Sequence, residues 1–241
     1  AAAQAERVVV RIPPNTTLYG VGPNATLVGA SLDISGPETG SRAMNVIIRN
    51  LTFVDTADCF PEWSPSDGPL GNWNSSYDSI SIRHATHVWI DHNRFEDLRT
   101  RDETQPTFFN RRFQVHDGLV DITDESDYIT VSWNQFANHD KVMLIGSSDS
   151  ALEDRGQLRV TLHHNLFENV GQRAPRVRFG QVHVYNNVYK ATGDTNYQSS
   201  WGAGLESQIY AENNYFEMSA SFGPMEVIDA KKGTRLTAVG N

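Results

Sequence analysis

The chain has 241 residues, of which 39% are hydrophobic and 10% aromatic, enough for one large domain with a real core. Its formal net charge of −9 argues against non-specific nucleic-acid binding, which depends on Lys and Arg neutralising phosphates. No apolar run is long enough for a membrane span, and the single cysteine, Cys59, excludes an internal disulfide. Cys59, between Asp58 and Phe60, reads as buried filler.

In chain order, strand signals fall at Val8–Ile12, Thr16–Tyr19, Ala25–Val28, Asn45–Ile48, Ser79–Arg83, Leu119–Thr123, Val142–Ile145 and Pro175–Phe179. No helical period of useful length is visible, and no capping helix is expected before Val8. A second kind of segment recurs: alternating apolar and polar residues, a polar pair, then an aromatic. Its copies are Val46–Phe53, Val88–Phe95, Ile129–Phe136, Val160–Phe167, Val182–Tyr189 and Ile209–Phe216. The closing aromatics are 42, 41, 31, 22 and 27 residues apart, the signature of a solenoid with loops inserted. Each unit is a strand, so the predicted fold class is all-β, one solenoid domain over residues 1–241, with two strands per coil. The chain is expected to begin and end within the solenoid, without terminal caps.

Asn93, Asn134, Asn165, Asn187 and Asn214 take the same place in five coils. They are predicted to hydrogen-bond along the axis and to turn a left-handed corner. The closing aromatics are predicted to stack in the core. Insertions at Cys59–Tyr77, Asp97–His116 and Gly146–Gln157 are where a rigid solenoid would build a binding surface.

The charged residues on or beside the first strands of successive coils carry the chemistry. Three acids, Asp78, Asp117 and Asp121, are followed by Lys141 and then by Arg173, Arg176 and Arg178. Carboxylates without His or Cys partners favour a hard cation such as Ca²⁺. Residues four apart on a straight strand lie about 13 Å apart, so Asp117 and Asp121 share an ion only if the chain bends at Asp117-Gly118. Turn capping by Asp117 is the alternative. The guanidinium run suits a carboxylate or a phosphate. The histidines offer no zinc spacing.

Taken together, these motifs resemble the pectate lyases of polysaccharide lyase family 1, which are right-handed parallel β-helices. The likeness runs from about Val8 to Phe216. It rests on Gly71-Asn72-Trp73-Asn74 through Tyr77-Asp78, Val88-Trp89-Ile90-Asp91-His92, His116-Asp117-Gly118 with Asp121, His139-Asp140-Lys141, and Arg173-Ala-Pro-Arg-Val-Arg178-Phe-Gly. The resemblance implies a calcium site at Asp78, Asp117 and Asp121, a catalytic base at Arg173, and substrate carboxylates gripped by Lys141 and Arg178, with Arg176 beside them. Trp89, Asp91 and His92 match a family signature away from the cleft and read as structural. The implied enzyme is secreted, extracellular and monomeric. It would cleave polygalacturonate by β-elimination, with no nucleic-acid or membrane partner. An arginine base needs cationic company to give up its proton, and Lys141, Arg176 and Arg178 supply it. The alternatives are a pectin lyase or a polygalacturonase on the same scaffold, or a solenoid that binds pectate without cutting it.

Overall fold

The computed structural model describes residues 1–37, 40–192, 196–219, 227–233 and 235–241. Among them the chain winds through three parallel sheets. Sheet 1 holds Val9–Arg11, Ser31–Ser35, Ile80–Arg83, Val120–Thr123, Leu144–Ile145, Arg176–Val177, Trp201–Ala203 and Ile228–Asp229, in that order. Sheet 2 holds Thr16–Tyr19, Ala43–Arg49, Ala85–Asp91, Asp127–Ser132, Arg159–His163, Gln181–Tyr185, Gln208–Glu212 and Arg235–Val239. Sheet 3 runs from Thr26–Val28 through Thr52–Val54, Arg94–Glu96, Gln135–Ala137, Leu166–Glu168 and Val188–Ala191 to Tyr215–Met218. This is a parallel β-helix, as the repeats require.

Each coil therefore has three strands where two were expected. The repeat breaks at its polar pair: Val88–Phe95 divides into the end of Ala85–Asp91 and the start of Arg94–Glu96. The break comes from one left-handed residue per coil. Asn50, His92, Trp133, His164, Asn186 and Asn213 all have φ between 52° and 58°. In five of these six coils the corner residue is thus the one before the ladder asparagine, not the asparagine itself, and in the first Asn50 precedes Leu51.

The ladder asparagines are buried and bond along the axis. Asn93 donates to Asn134 Oδ1 from its backbone N–H (2.9 Å) and from Nδ2 (3.1 Å), and Nδ2 also reaches the Ile48 carbonyl at 2.9 Å. The pattern repeats through Asn165, Asn187 and Asn214 to Asn241. Parallel to it runs the aromatic stack. Phe53, Phe95, Phe136, Phe167, Tyr189 and Phe216 lie face to face at 4.7, 5.0, 5.1, 4.8 and 4.7 Å. Both expectations hold because the coils stack in register.

Two readings are corrected. A helix, Ala2–Val8, precedes the first strand, where none was expected. Its Ala-rich sequence has high helix propensity, and Gln4 ties it to the Ala57 carbonyl (2.9 Å) and the Cys59 N–H (3.1 Å). Cys59 is exposed, not buried, because it opens an excursion away from the coils. That excursion pairs Glu62–Ser64 with Asn72–Asn74, while the next loop pairs Thr107–Phe108 with Arg111–Arg112. Trp63, Trp73, Phe109 and Phe113 pack the two hairpins together outside the main core, with Trp73 and Phe113 at 4.9 Å.

Asn134→Ala leaves the buried Asn93 N–H without the acceptor Asn134 Oδ1 and removes the side-chain donor to the Ile90 carbonyl, while the backbone N–H of residue 134 still reaches Asn165 Oδ1. The expected loss is about 2–4 kcal/mol, since each buried unsatisfied group costs about 1–3 kcal/mol. Chemical denaturation of the variant against the parent measures it.

Candidate active site

Strand alternation on sheet 1 sends Ile34, Ile82, Ile122, Ile145 and Val177 into the core. The residues between them face out. Asp33, Ser81 and Asp121 lie in register on three successive strands, and the row continues through Leu144, Arg176 and Gly202. Asp78, Asp117, Lys141 and Arg173 lie on the turns that lead into this sheet.

The bend needed at Asp117-Gly118 is present. Gly118 N–H donates to Asp78 Oδ1 at 2.9 Å. A Cβ on Gly118 would collide with Asp121 Oδ1 and come within 2.8 Å of Asp78 Oδ1. Glycine is thus required for the close approach of backbone to both carboxylates. Ser81 Oγ donates to Asp78 Oδ2 at 2.7 Å, and Leu144 N–H donates to Asp121 Oδ1 at 3.0 Å. Burial and the neighbouring Asp117 push the Asp78 carboxyl up to about 6. Burial, Asp78 and Asp117 raise Asp121 well above the usual carboxylate range. Mutual repulsion shows that the three acids form one electrostatic cluster.

Lys141, itself buried, places Nζ 2.7 Å from Asp117 Oδ1. Among the described residues no group of three or more Asp, Glu, His or Cys side chains is arranged to hold a metal ion as it stands. The donor set nevertheless suits a hard cation: it is all carboxylate and self-repelling, with Lys141 and Arg173 as its neighbouring positive charges. Its incompleteness is local, because Asp117 is engaged by Lys141.

The guanidinium groups follow on the next coil. Arg173 acts on Asp121 as a nearby positive charge. Its φ is 59°, and its buried Nε has no hydrogen-bond partner. Arg176 Nε is likewise without a partner, and burial, then Arg178 and Arg173, push its guanidinium down to about 10. Arg178 is held differently. Its Nε donates to Asp149 Oδ1 (2.8 Å) and its Nη1 to the Gly146 and Ser147 carbonyls (3.0 and 3.1 Å). Lys232 Nζ also lies 2.5 Å from Asp149 Oδ2. On the following strand Gly202 and Gly204 make room: a Cβ on Gly204 would sit 2.9 Å from Arg178 Cγ. Beside the site a hollow of about 400 Å³ is lined by Asn72, Arg111, Arg112, Asp140 and Gln172 among others.

The sequence-predicted residues therefore converge on one sheet face. Asp91 and His92 lie elsewhere, with Asp91 buried under sheet 2 and accepting from Ser132 Oγ and Arg49 Nε, at 2.7 and 3.0 Å. Asp149 and Lys232 were missed, being far from the repeats in sequence. So was a buried pair under the site, His139 and Asp97, 2.7 Å apart. Burial opposes charge on His139, but Asp97 and Asp102 lift it to about 9.

The fold is a parallel β-helix that carries a carboxylate cluster beside arginines on one sheet face, which places the chain among the β-solenoids. Within that class, the profile of the pectate lyase family matches residues 1–240, and the chain belongs to that family. A pectate lyase of Bacillus subtilis (strain 168) is 50% identical over 218 residues, covering 89% of this chain and 50% of the relative. Pectate lyase E of Dickeya chrysanthemi is 41% identical over 222 residues, covering 90% of this chain and 54% of its own length. The chain thus spans about half the length of these relatives. A solved thermostable pectate lyase superposes with a TM-score of 0.92 at 49% identity, over 98% of this chain and 56% of that one. A pectate lyase bound to a hexasaccharide gives 0.92 at 44% identity, over 99% and 59%.

The raised Asp78 carboxyl has a consequence for stability. Its folded-state value lies above the unfolded one, so folding takes up a proton between about pH 4 and 6. The native state is favoured below that window and penalised as pH rises through it. In chelator, Asp78→Asn should match the parent near pH 4 and exceed it by about 1–2 kcal/mol at pH 7.5, a figure reduced for partial exposure. Added Ca²⁺ should reverse the order. Denaturant titrations at the two pH values, with and without Ca²⁺, measure it.

Proposed function

We propose that this chain is the core of a calcium-dependent pectate lyase that cleaves (1→4)-linked polygalacturonate by β-elimination. The observation that carries the reading is the convergence of Asp78, Asp117 and Asp121 with Lys141 and Arg173 on one face of stacked coils. The likeness to named pectate lyases, one of them holding a hexasaccharide, supports the substrate class. So does the form of the site: a row along an open sheet suits a polymer.

Asp78, Asp117 and Asp121 would hold the calcium ion, Asp117 exchanging its bond to Lys141 for the cation. Bound there, calcium supplies charge neutralisation to the substrate carboxylate next to the scissile bond, which acidifies the C5 proton. Lys141, once released, and Arg178 pair with uronate carboxylates and stabilise the charge that develops on elimination. Arg178 reaches the substrate already oriented by Asp149 and the Gly146 and Ser147 carbonyls. Arg176 adds a further guanidinium on the outward row, its buried Nε without a partner among the described residues. Neutral Arg173 would take the C5 proton, the electron pair left at C5 would form the C4=C5 double bond as the C4–O bond breaks, and the departing glycosidic oxygen would take a proton from water. An arginine base must be neutral to accept a proton, and arginine is almost wholly protonated at neutral pH, so turnover should rise into alkaline pH. A polymer of this size is met outside the cell, which supports a secreted enzyme.

The experiment is an absorbance assay on polygalacturonate, reading the unsaturated ends that elimination forms and hydrolysis does not. Activity should appear with Ca²⁺, vanish in chelator and climb with pH. Arg173→Ala should reduce turnover by at least about 10³-fold with unchanged thermal stability. Reducing sugar released without ultraviolet absorbance, or full activity in chelator, contradicts the reading.

A further inference from the structure

His139 and Asp97 take no part in the chemistry above, yet they lie directly beneath it, with side chains 2% and 4% exposed. His139 Nδ1 is 2.7 Å from Asp97 Oδ2. Its Nε2 is 2.9 Å from the Asp117 carbonyl oxygen and 3.1 Å from the Lys141 carbonyl oxygen. All three partners are acceptors, so the ring donates from both nitrogens. The other Asp97 oxygen lies 3.6 Å from His116 Nδ1. His116 in turn bonds to the Thr56 and Thr100 carbonyls at 2.7 and 2.8 Å. His116 is therefore an electrostatic neighbour of Asp97 and not its hydrogen-bond donor, and the shorter contact, at 2.7 Å, is the one to His139.

The two carbonyls lie just where the regular ladder gives out. Sheet 1 begins at Val120 in one coil and at Leu144 in the next. Asp117 is outside any strand, and Lys141 has only an isolated bridge to Gln172. Among the described residues, neither carbonyl accepts from a backbone N–H. One imidazole therefore joins the turn backbones of two adjacent coils. It does so at the two residues whose side chains meet above it at 2.7 Å.

We propose that His139, clamped by Asp97, is a positioning residue. It fixes the backbones of Asp117 and Lys141 relative to each other and so sets the spacing between the carboxylate that takes the cation and the ammonium that takes the substrate. The inference rests on the roles proposed for Asp117 and Lys141. Core packing alone does not account for the site, because the ring nitrogens contact only oxygen acceptors and two of those belong to active-site backbone.

The test uses the full chain as His139→Gln and Asp97→Asn. Ca²⁺ alone is titrated calorimetrically, kcat and KM are measured on polygalacturonate, and thermal unfolding is followed in parallel. A glutamine amide at position 139 lacks the ring's opposed pair of donors. His139→Gln should therefore weaken Ca²⁺ binding by about 10- to 100-fold, the range for residues that orient metal ligands, and lower kcat more than it raises KM. Asp97→Asn keeps the ring but loosens it, and should give a smaller loss in the same direction. If His139→Gln does not fold, Asp97→Asn decides alone. Folded variants with parental Ca²⁺ affinity and kinetics, altered only in melting temperature, overturn this inference and leave the proposed function standing. A parent chain that takes up no Ca²⁺ overturns both.

Discussion

Each coil is tied to the next by the axial bonds of Asn93, Asn134, Asn165, Asn187 and Asn214, with the backbone ladders of three sheets running alongside. This register is what makes the molecule a device. A side chain cannot drift along a neighbouring strand without turning its whole row inside out, because alternation has a period of two. Residues 40 positions apart, such as Asp121 and Ser81, therefore become neighbours about 4.8 Å apart in the hydrogen-bonding direction. The asparagines enforce the register more strictly than apolar contact could. A slipped coil leaves buried amides unpaired, whereas a slipped phenylalanine only meets another apolar surface.

On such a scaffold the electrostatics of the charged face are costly. Asp78 and Asp121 are pushed up by burial and by their neighbours, and Arg176 is pushed down. Like charges are crowded on each side of the site, acids on one pair of coils and guanidinium groups on the next. The rigid core tolerates this strain because it is separate: the strands bearing the charges bury Ile82, Ile122 and Ile145 on their other face. Among the described residues only one member of each cluster has a close counter-ion of its own, Asp117 in Lys141 and Arg178 in Asp149.

The amino-acid order foretold the coil and the row of charges well, for one reason. Both depend on local alternation and on spacing between repeats, which are visible in one dimension. The third strand was hidden because its break is a single φ at residues as dissimilar as Asn50, His92 and Trp133. Asn or His, which tolerate the left-handed region, stands at five of the six corners, but Trp133 breaks the pattern and the ladder asparagine next along masks it. The exposed Cys59 and the helix Ala2–Val8 were misread because both lie off the repeat, where periodicity is silent. Asp149 and Lys232, 83 positions apart, meet beside Arg178 through loops whose course no spacing rule predicts. His139 stood in a quoted motif, but its role depends on which carbonyls face it, and backbone orientation in a turn leaves no trace in composition.

Position in the row does not by itself make a site. Asp33 occupies the same outward line as Asp121, with Ser81 between them. Asp33 is closed off by Arg11 at 3.4 Å and Arg83 at 3.1 Å, with Ser35 on the same carboxylate, so its charge is already satisfied. Asp121 has Ser81 on one side and Leu144 on the other, with the acids Asp78 and Asp117 close by and Arg173 as its nearby positive charge. The same outward position thus carries an aspartate saturated by two arginines in one coil and, two strands on, an aspartate that burial and acidic neighbours push well above the usual carboxylate range. The difference lies in the neighbours: where they are basic the carboxylate is satisfied within the coil stack, and where they are acidic it is not.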